Sequence, residues 1–163
     1  MLHDAPQFLQ ALEQSGFAAA IRQSTWAYAT ANVGHILALT LFAAAVAIMD
    51  LRLLGAFAAA PPAAVVRPAR RMAVVGLLLM ATTGFMLFAA EATHVASNPV
   101  FQIKAVLVGL GIINALLVAR VLAPALDATP ALTPLPARVR LAAGLSLAIW
   151  LSVAACGRLI AYF

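Results

Sequence analysis

The chain has 163 residues, 65% of them hydrophobic and only 9% charged, with a mean hydropathy of +1.03. A soluble domain of this length needs far more charge to cover its surface, so the composition specifies one polytopic membrane domain with no soluble module. A net charge of +5 and a pI near 10.7 would suggest nucleic acid as the partner of a soluble protein. Here nucleic acid is excluded, and the arginines report topology instead.

Residues 1–24 form a separate amphipathic segment. Asp4 is placed to cap a short helix, with Gln7 three residues on. Phe8, Leu9 and Leu12 share one face, and Gln10, Glu13 and Gln14 the other. This pattern predicts a helix lying on the outer membrane surface, or one docked on a partner. The segment lacks a basic start, a continuous apolar stretch and a cleavage site, so it does not read as a signal peptide. Met1-Leu2-His3 offers a square-planar nitrogen set for Cu(II) if the terminus is free; an incidental histidine is the plainer reading.

Residues 25–163 hold four apolar runs, each long enough to cross the ~30 Å hydrocarbon core. The predicted spans are about 26–55, 71–95, 99–122 and 137–161. Trp26 and Tyr28 mark an interface, and Ala60-Pro61-Pro62 ends the first span. Asn98 is a natural N-cap with Pro99 behind it at N1. Pro124, Pro130, Pro134 and Pro136 punctuate the last connection. Seven of the ten basic residues (Arg52, Arg67, Arg70, Arg71, Arg120, Arg138, Arg140) lie in or within four residues of the two connections 56–70 and 123–137. Such loops stay cytoplasmic, which leaves both termini periplasmic in a bacterial inner membrane. The fold expected is all-α: an integral membrane four-helix bundle, N-out and C-out, with an N-terminal interfacial helix. No internal repeat is present, which argues against an inverted-repeat transporter. Cys156 is the only cysteine, so no intramolecular disulfide forms.

Trp26-x-Tyr28, His35, Asp50-Leu-Arg-Leu-Leu-Gly55, Gly84-Phe-x-Leu-Phe88, Asn98-Pro-x-Phe101-x-x-Lys104 and Asn114-Ala-Leu together resemble a family of small bacterial four-span inner-membrane proteins of unknown function. Asp-Leu-Arg-Leu-Leu-Gly is the most specific piece. The resemblance covers most of the chain and implies the fold and the inner membrane, but no activity. More distantly, the layout is similar to four-helix b-type cytochromes and to copper-resistance membrane proteins. Di-haem cytochromes of that kind place four histidines in their spans. With two here, one bis-histidine haem is the most that the resemblance allows.

His35 and His94 are the central pair, because an ionisable residue inside a membrane is costly and functional by default. Gly55 to His35 is 20 residues, and Arg71 to His94 is 23; at 1.5 Å each, both imidazoles fall ~30–35 Å from the cytoplasmic end. They are therefore expected at one level, facing each other as axial ligands of a haem b. Lys104 and Arg158 fall near the same level and suit its propionates, while Gly34, Gly84, Gly109 and Gly111 leave room for a macrocycle. Glu91-x-x-His94, with His35 as third ligand, is the alternative zinc or copper set. The plain reading uses no cofactor: Glu91 pairs with Lys104 or Arg158, His35 bonds a neighbouring helix, and the glycines serve packing. Asn114 is read as a cross-bundle hydrogen bonder, Cys156 as a small buried group, and Asp50 and Arg52 as anchors at the inner interface.

Three functions are left open. One is a b-type haem protein transferring electrons at the periplasmic face, exchanging them with quinol or a periplasmic partner. The others are a non-catalytic accessory subunit of a larger membrane complex or homo-oligomer, and a copper- or zinc-handling protein.

Overall fold

The computed structural model describes residues 6–160 and 162, and of helical positions 121–125 and 127 the backbone alone. His3 and Asp4, the expected copper ligand and helix cap, lie outside the described residues. The chain runs through α1 (Gln7–Glu13), α2 (Gly16–Gln23), α3 (Thr25–Leu54), α4 (Pro62–Ala90), α5 (Ala92–Ser97), α6 (Pro99–Ala128) and α7 (Ala137–Leu159). Four helices (α3, α4, α6 and α7) are long and apolar enough to cross a membrane, as a multi-pass membrane protein requires.

The helix starts follow from local chemistry. Ser15 Oγ accepts from the Ala18 N–H at 3.2 Å to open α2, and Ser24 Oγ does the same for Ala27 at 3.2 Å to open α3. Asn98 Oδ1 accepts from Val100 and Phe101 at 2.9 and 3.2 Å, with Pro99 at N1 of α6. α3 stops at Gly55, whose φ of +117° supplies the left-handed C-cap.

Two boundaries differ from the predicted spans. α4 starts at Pro62 rather than Arg71, because Pro61 is extended and Pro62 occupies N1, where a missing N–H costs nothing. What reads as a terminator of the first span is the first turn of the second. α6 runs on to Ala128, past the expected end at 122, until extended Thr129 precedes Pro130.

α3 is the organising helix, packing along α4 on one side and α7 on the other, while α6 packs on α7 and barely meets α4. At Gly76 the two long helices nearly touch: a Cβ there would lie 2.9 Å from the Phe42 backbone nitrogen. Phe42, Ala45, Val46 and Ala73 form the core at this level, and Trp150 of α7 meets the Phe42 ring edge-on at 4.6 Å. Nearer the arginine-bearing end, Leu53, Val66, Leu126, Leu135, Val139 and Ala143 form a second core.

The second span is broken at its other end. Glu91 leaves helical geometry (φ −141°, ψ 44°), so α4 ends at Ala90 and α5 starts at Ala92. The freed groups are taken up by the N-terminal helices. Arg22 donates to the Ala90 carbonyl at 2.8 Å, while the Glu13 carboxylate accepts from the Thr93 N–H at 2.7 Å and the Thr93 hydroxyl at 2.5 Å. A cation thus sits at a helix C-terminus and an anion at a helix N-terminus, the favourable pairing for both dipoles. Phe17 stacks on Phe85, centroids 6.0 Å apart, below this junction.

The Thr93 hydroxyl, then its backbone N–H, hold the Glu13 carboxyl below its ordinary value of 4.5. A depressed acid stabilises the fold above its unfolded value and loses that contribution as pH falls through the folded one. Docking of α1 should therefore weaken below about pH 4.5. Glu13→Gln should weaken it at neutral pH, by about 1 kcal/mol, and remove the acid dependence. Hydrogen exchange at the Thr93 amide reads both effects; equal protection in wild type at pH 3 and 7 would contradict them.

Candidate functional site

The α3–α4 register places each expected site residue. Phe42 lies against Gly76, Gly34 against Thr83, and His35 against Gly84. His94 lies ten residues beyond Gly84, ~15 Å further along an ideal helix. It is exposed on α5, and its charge is felt by Glu13 of α1. His35 has other neighbours: Thr83, Gly84 and Lys104. The expected face-to-face pair is therefore not formed. The depth arithmetic started α4 at Arg71, nine residues late, and each residue shifts the register by 1.5 Å.

The expected metal set is not assembled either. Glu91 stands at the helix break with its side chain exposed, and no three His, Cys, Asp or Glu among the described residues could hold a metal ion. Gly34 and Gly84 do not leave room for a macrocycle. A Cβ on Gly34 would meet Thr83 Cγ2 at 3.4 Å, and one on Gly84 would meet His35 Cε1 at 3.1 Å, so both serve helix contact. Arg158 is exposed and turned to Tyr162, donating to its hydroxyl at 2.7 Å with the guanidinium 4.9 Å from the ring centroid.

His35 and Lys104 do come together. His35 is half-buried, with Nδ1 2.9 Å from Thr83 Oγ1. Thr83 has one hydroxyl hydrogen, which faces the Leu79 carbonyl at 2.7 Å and the Met80 carbonyl at 3.4 Å. With that hydrogen on a carbonyl, Thr83 Oγ1 accepts from His35 Nδ1–H, and the Met80 carbonyl also hydrogen-bonds the ring. In that tautomer the lone pair lies on Nε2, the arrangement by which a histidine ligand is usually oriented. Lys104, on α6, brings a cation to this imidazole, with Nζ 3.5 Å from where a Gly157 Cβ would stand and Cys156 alongside. Among the described residues no carboxylate pairs with Lys104 or Arg158, so neither expected Glu91 pairing is formed. Asn114 donates to the Ala142 carbonyl at 3.1 Å, tying α6 to α7 as expected.

The motif Asp50-Leu-Arg-Leu-Leu-Gly55 holds what the sequence concealed. Its Asp50 and Arg52 are both buried in the protein, each 2% exposed. Arg52 donates twice to the Ala60 carbonyl, from Nε at 3.2 Å and Nη2 at 2.9 Å. Leu53 enters the core and Gly55 turns the chain. Asp50 instead hydrogen-bonds Ser146 of α7 and lines a cavity. Two acid–base residues two positions apart gave no signal that both point inward.

A family model described as a family of unknown function, DUF6644, matches residues 11–163. The chain belongs to that family. DUF6644 thus covers all four spans, both arginine-bearing connections and the Glu13 and Arg22 contacts, but not the extreme N-terminus. No curated protein matches the chain. No solved structure matches it.

Proposed function

We propose that this is a membrane electron-transfer protein holding a b-type haem in the half of the bundle nearest the N-terminal helices. His35 would ligate its iron and Lys104 would pair with its carboxylates. The observation that carries this reading is the 2.9 Å contact of His35 Nδ1 with Thr83 Oγ1, which in the Nδ1–H tautomer leaves Nε2 able to ligate. Lys104 decides between cofactors. A cation with no carboxylate beside it among the described residues repels a bare copper or zinc ion and attracts the anionic edge of a haem. These two residues fit the group; His94, exposed on α5, does not join them. The haem iron would supply one-electron chemistry, while the chain supplies ligation, charge pairing and a low-dielectric surround. Placed in one leaflet, the site exchanges electrons with quinol or an external partner. With the arginine-bearing connections cytoplasmic, that partner is periplasmic, across a bacterial inner membrane.

The test is the visible spectrum of protein purified from haem-replete cells, oxidised and dithionite-reduced. A Soret band that shifts on reduction is expected. His35→Ala should abolish it, His94→Ala should leave it intact, and Thr83→Val should shift the reduction potential by releasing the imidazole. Colourless wild-type protein, or a spectrum lost in His94→Ala but not in His35→Ala, would refute the assignment.

One observation favours a second reading, an accessory subunit of a larger complex. Only 6% of the most apolar stretch of α6 is buried, against 39% for α3. That reading expects colourless protein that co-purifies with other membrane subunits.

A further inference from the structure

A cavity of about 180 Å³ lies among α3, α4, α6 and α7, well away from His35. Phe42 and Trp150 bound one end, and Asp50, Asn114 and Ser146 supply the polar groups. Asp50 is the unusual member. It is 2% exposed and bonded to Ser146, yet its Oδ2 has no hydrogen-bond partner. A carboxylate can accept about four hydrogen bonds, and an unpaired one out of water costs several kcal/mol. The fold keeps an acceptor here that its own side chains leave unmet.

The cavity also has a size and an entrance. An apolar cavity of ~150 Å³ admits a benzene ring, so this one holds a substituted six-membered ring. Val74 of α4 and Ile112 and Leu116 of α6 line it while remaining exposed. α4 and α6 scarcely touch, so the mouth opens between them onto the surface that lipid chains cover. Arg70 lines the cavity too and is exposed at its rim. A guanidinium there opposes organic cations and offers a donor to a second ligand oxygen.

We propose that this cavity binds a lipid-soluble aromatic molecule with a ring hydroxyl, of the quinol or phenol class, entering from the bilayer between α4 and α6. The hydroxyl donates to Asp50 Oδ2, and the ring packs against Phe42 and Trp150. Arg70 distinguishes the two classes, because only a quinol carries a second ring oxygen to accept from it. The site does not rest on the haem reading. Asp50 is 15 residues from His35 along α3, or ~22 Å, so either can fail alone.

The chain has two tryptophans, Trp26 and Trp150, so Trp26→Phe leaves one indole, in the cavity wall. In that background, in lipid nanodiscs, decylubiquinol and a long-chain 4-alkylphenol should quench Trp150 saturably. The quinol's dimethyl ether, which has no donor, should bind at least tenfold more weakly. Asp50→Leu should weaken quinol binding at least tenfold without affecting the ether, and Arg70→Gln should bring the quinol down to the phenol's affinity. Ala115→Phe, an exposed position in the lining, should block both ligands and serves if Asp50→Leu does not fold. Equal binding of quinol and ether, or quenching that never saturates, would overturn the proposal. So would tight tetraphenylphosphonium binding abolished by Asp50→Leu, which would mark a cation site.

Discussion

Gly76→Ala should destabilise the bundle by about 2 kcal/mol, although alanine is the better helix former. Helix propensity favours the change by roughly 1 kcal/mol, and overpacking a tight contact costs about 1–3 kcal/mol. The geometry sets this site at the upper end. The new methyl would stand 2.9 Å from the Phe42 nitrogen and 3.0 Å from its Cα, backbone atoms that no rotamer change can move. Relief requires α3 and α4 to part, which also lifts Phe42 from its edge contact with Trp150. Gly109→Ala is the control: nothing lies within 4 Å of its added methyl, so the propensity gain stands alone. Thermal unfolding in detergent should therefore separate the two variants in opposite directions. A Gly76→Ala protein as stable as wild type would show that this contact is not tight.

Arg52→Ala should cost more, about 3 kcal/mol or above. The substitution leaves a cavity where a fully buried side chain stood, and it strips the Ala60 carbonyl of both donors. Arg52→Lys should recover less than half of the loss, because one ammonium does not reproduce two N–H groups in a fixed plane. The damage should also reach the second connection. Ala58, two residues from Ala60, accepts from the Leu132 N–H at 2.8 Å, which ties the loop after α3 to the loop after α6. Faster protease cleavage in residues 129–136 of Arg52→Ala is the expected signature. Unchanged cleavage together with unchanged melting would place the side chain's role elsewhere.

The sequence carried the helices better than it carried their register. Apolar runs bounded by Trp, Pro and Arg located four spans, and Asn98-Pro99 located a helix start to the residue. Pro61-Pro62 misled because a proline pair stops one helix and starts another with equal ease. The Ala- and Arg-rich stretch behind it has no periodic contrast to show that it is helical. The resulting nine-residue slip is what appeared to bring His94 level with His35. The break at Glu91 was invisible for a different reason. Ala89-Ala90-Glu91-Ala92 is good local helix sequence, and what replaces its missing bonds are side chains of Glu13 and Arg22. Of the candidate site, His35 and Lys104 were legible as ionisable groups in apolar runs. Asp50 was legible as a motif member but not as a cavity wall, since two charges close to a helix end read as interfacial until the packing of α7 is known.

The junction at Glu91 also imposes an order on biosynthesis. Glu13 is 80 residues upstream of Thr93, and Arg22 is 68 upstream of Ala90. At 5–20 residues per second, those side chains leave the ribosome roughly 3–16 s before their partners exist. Through that interval α1 and α2 have only each other, α3 and the lipid surface to rest on, and the second span has no means of ending where it does. Maturation of this end of the protein is therefore a late event that joins the oldest part of the chain to a span made well after it. A bulky fusion ahead of residue 6 would be felt first as a slow final step rather than as failed insertion.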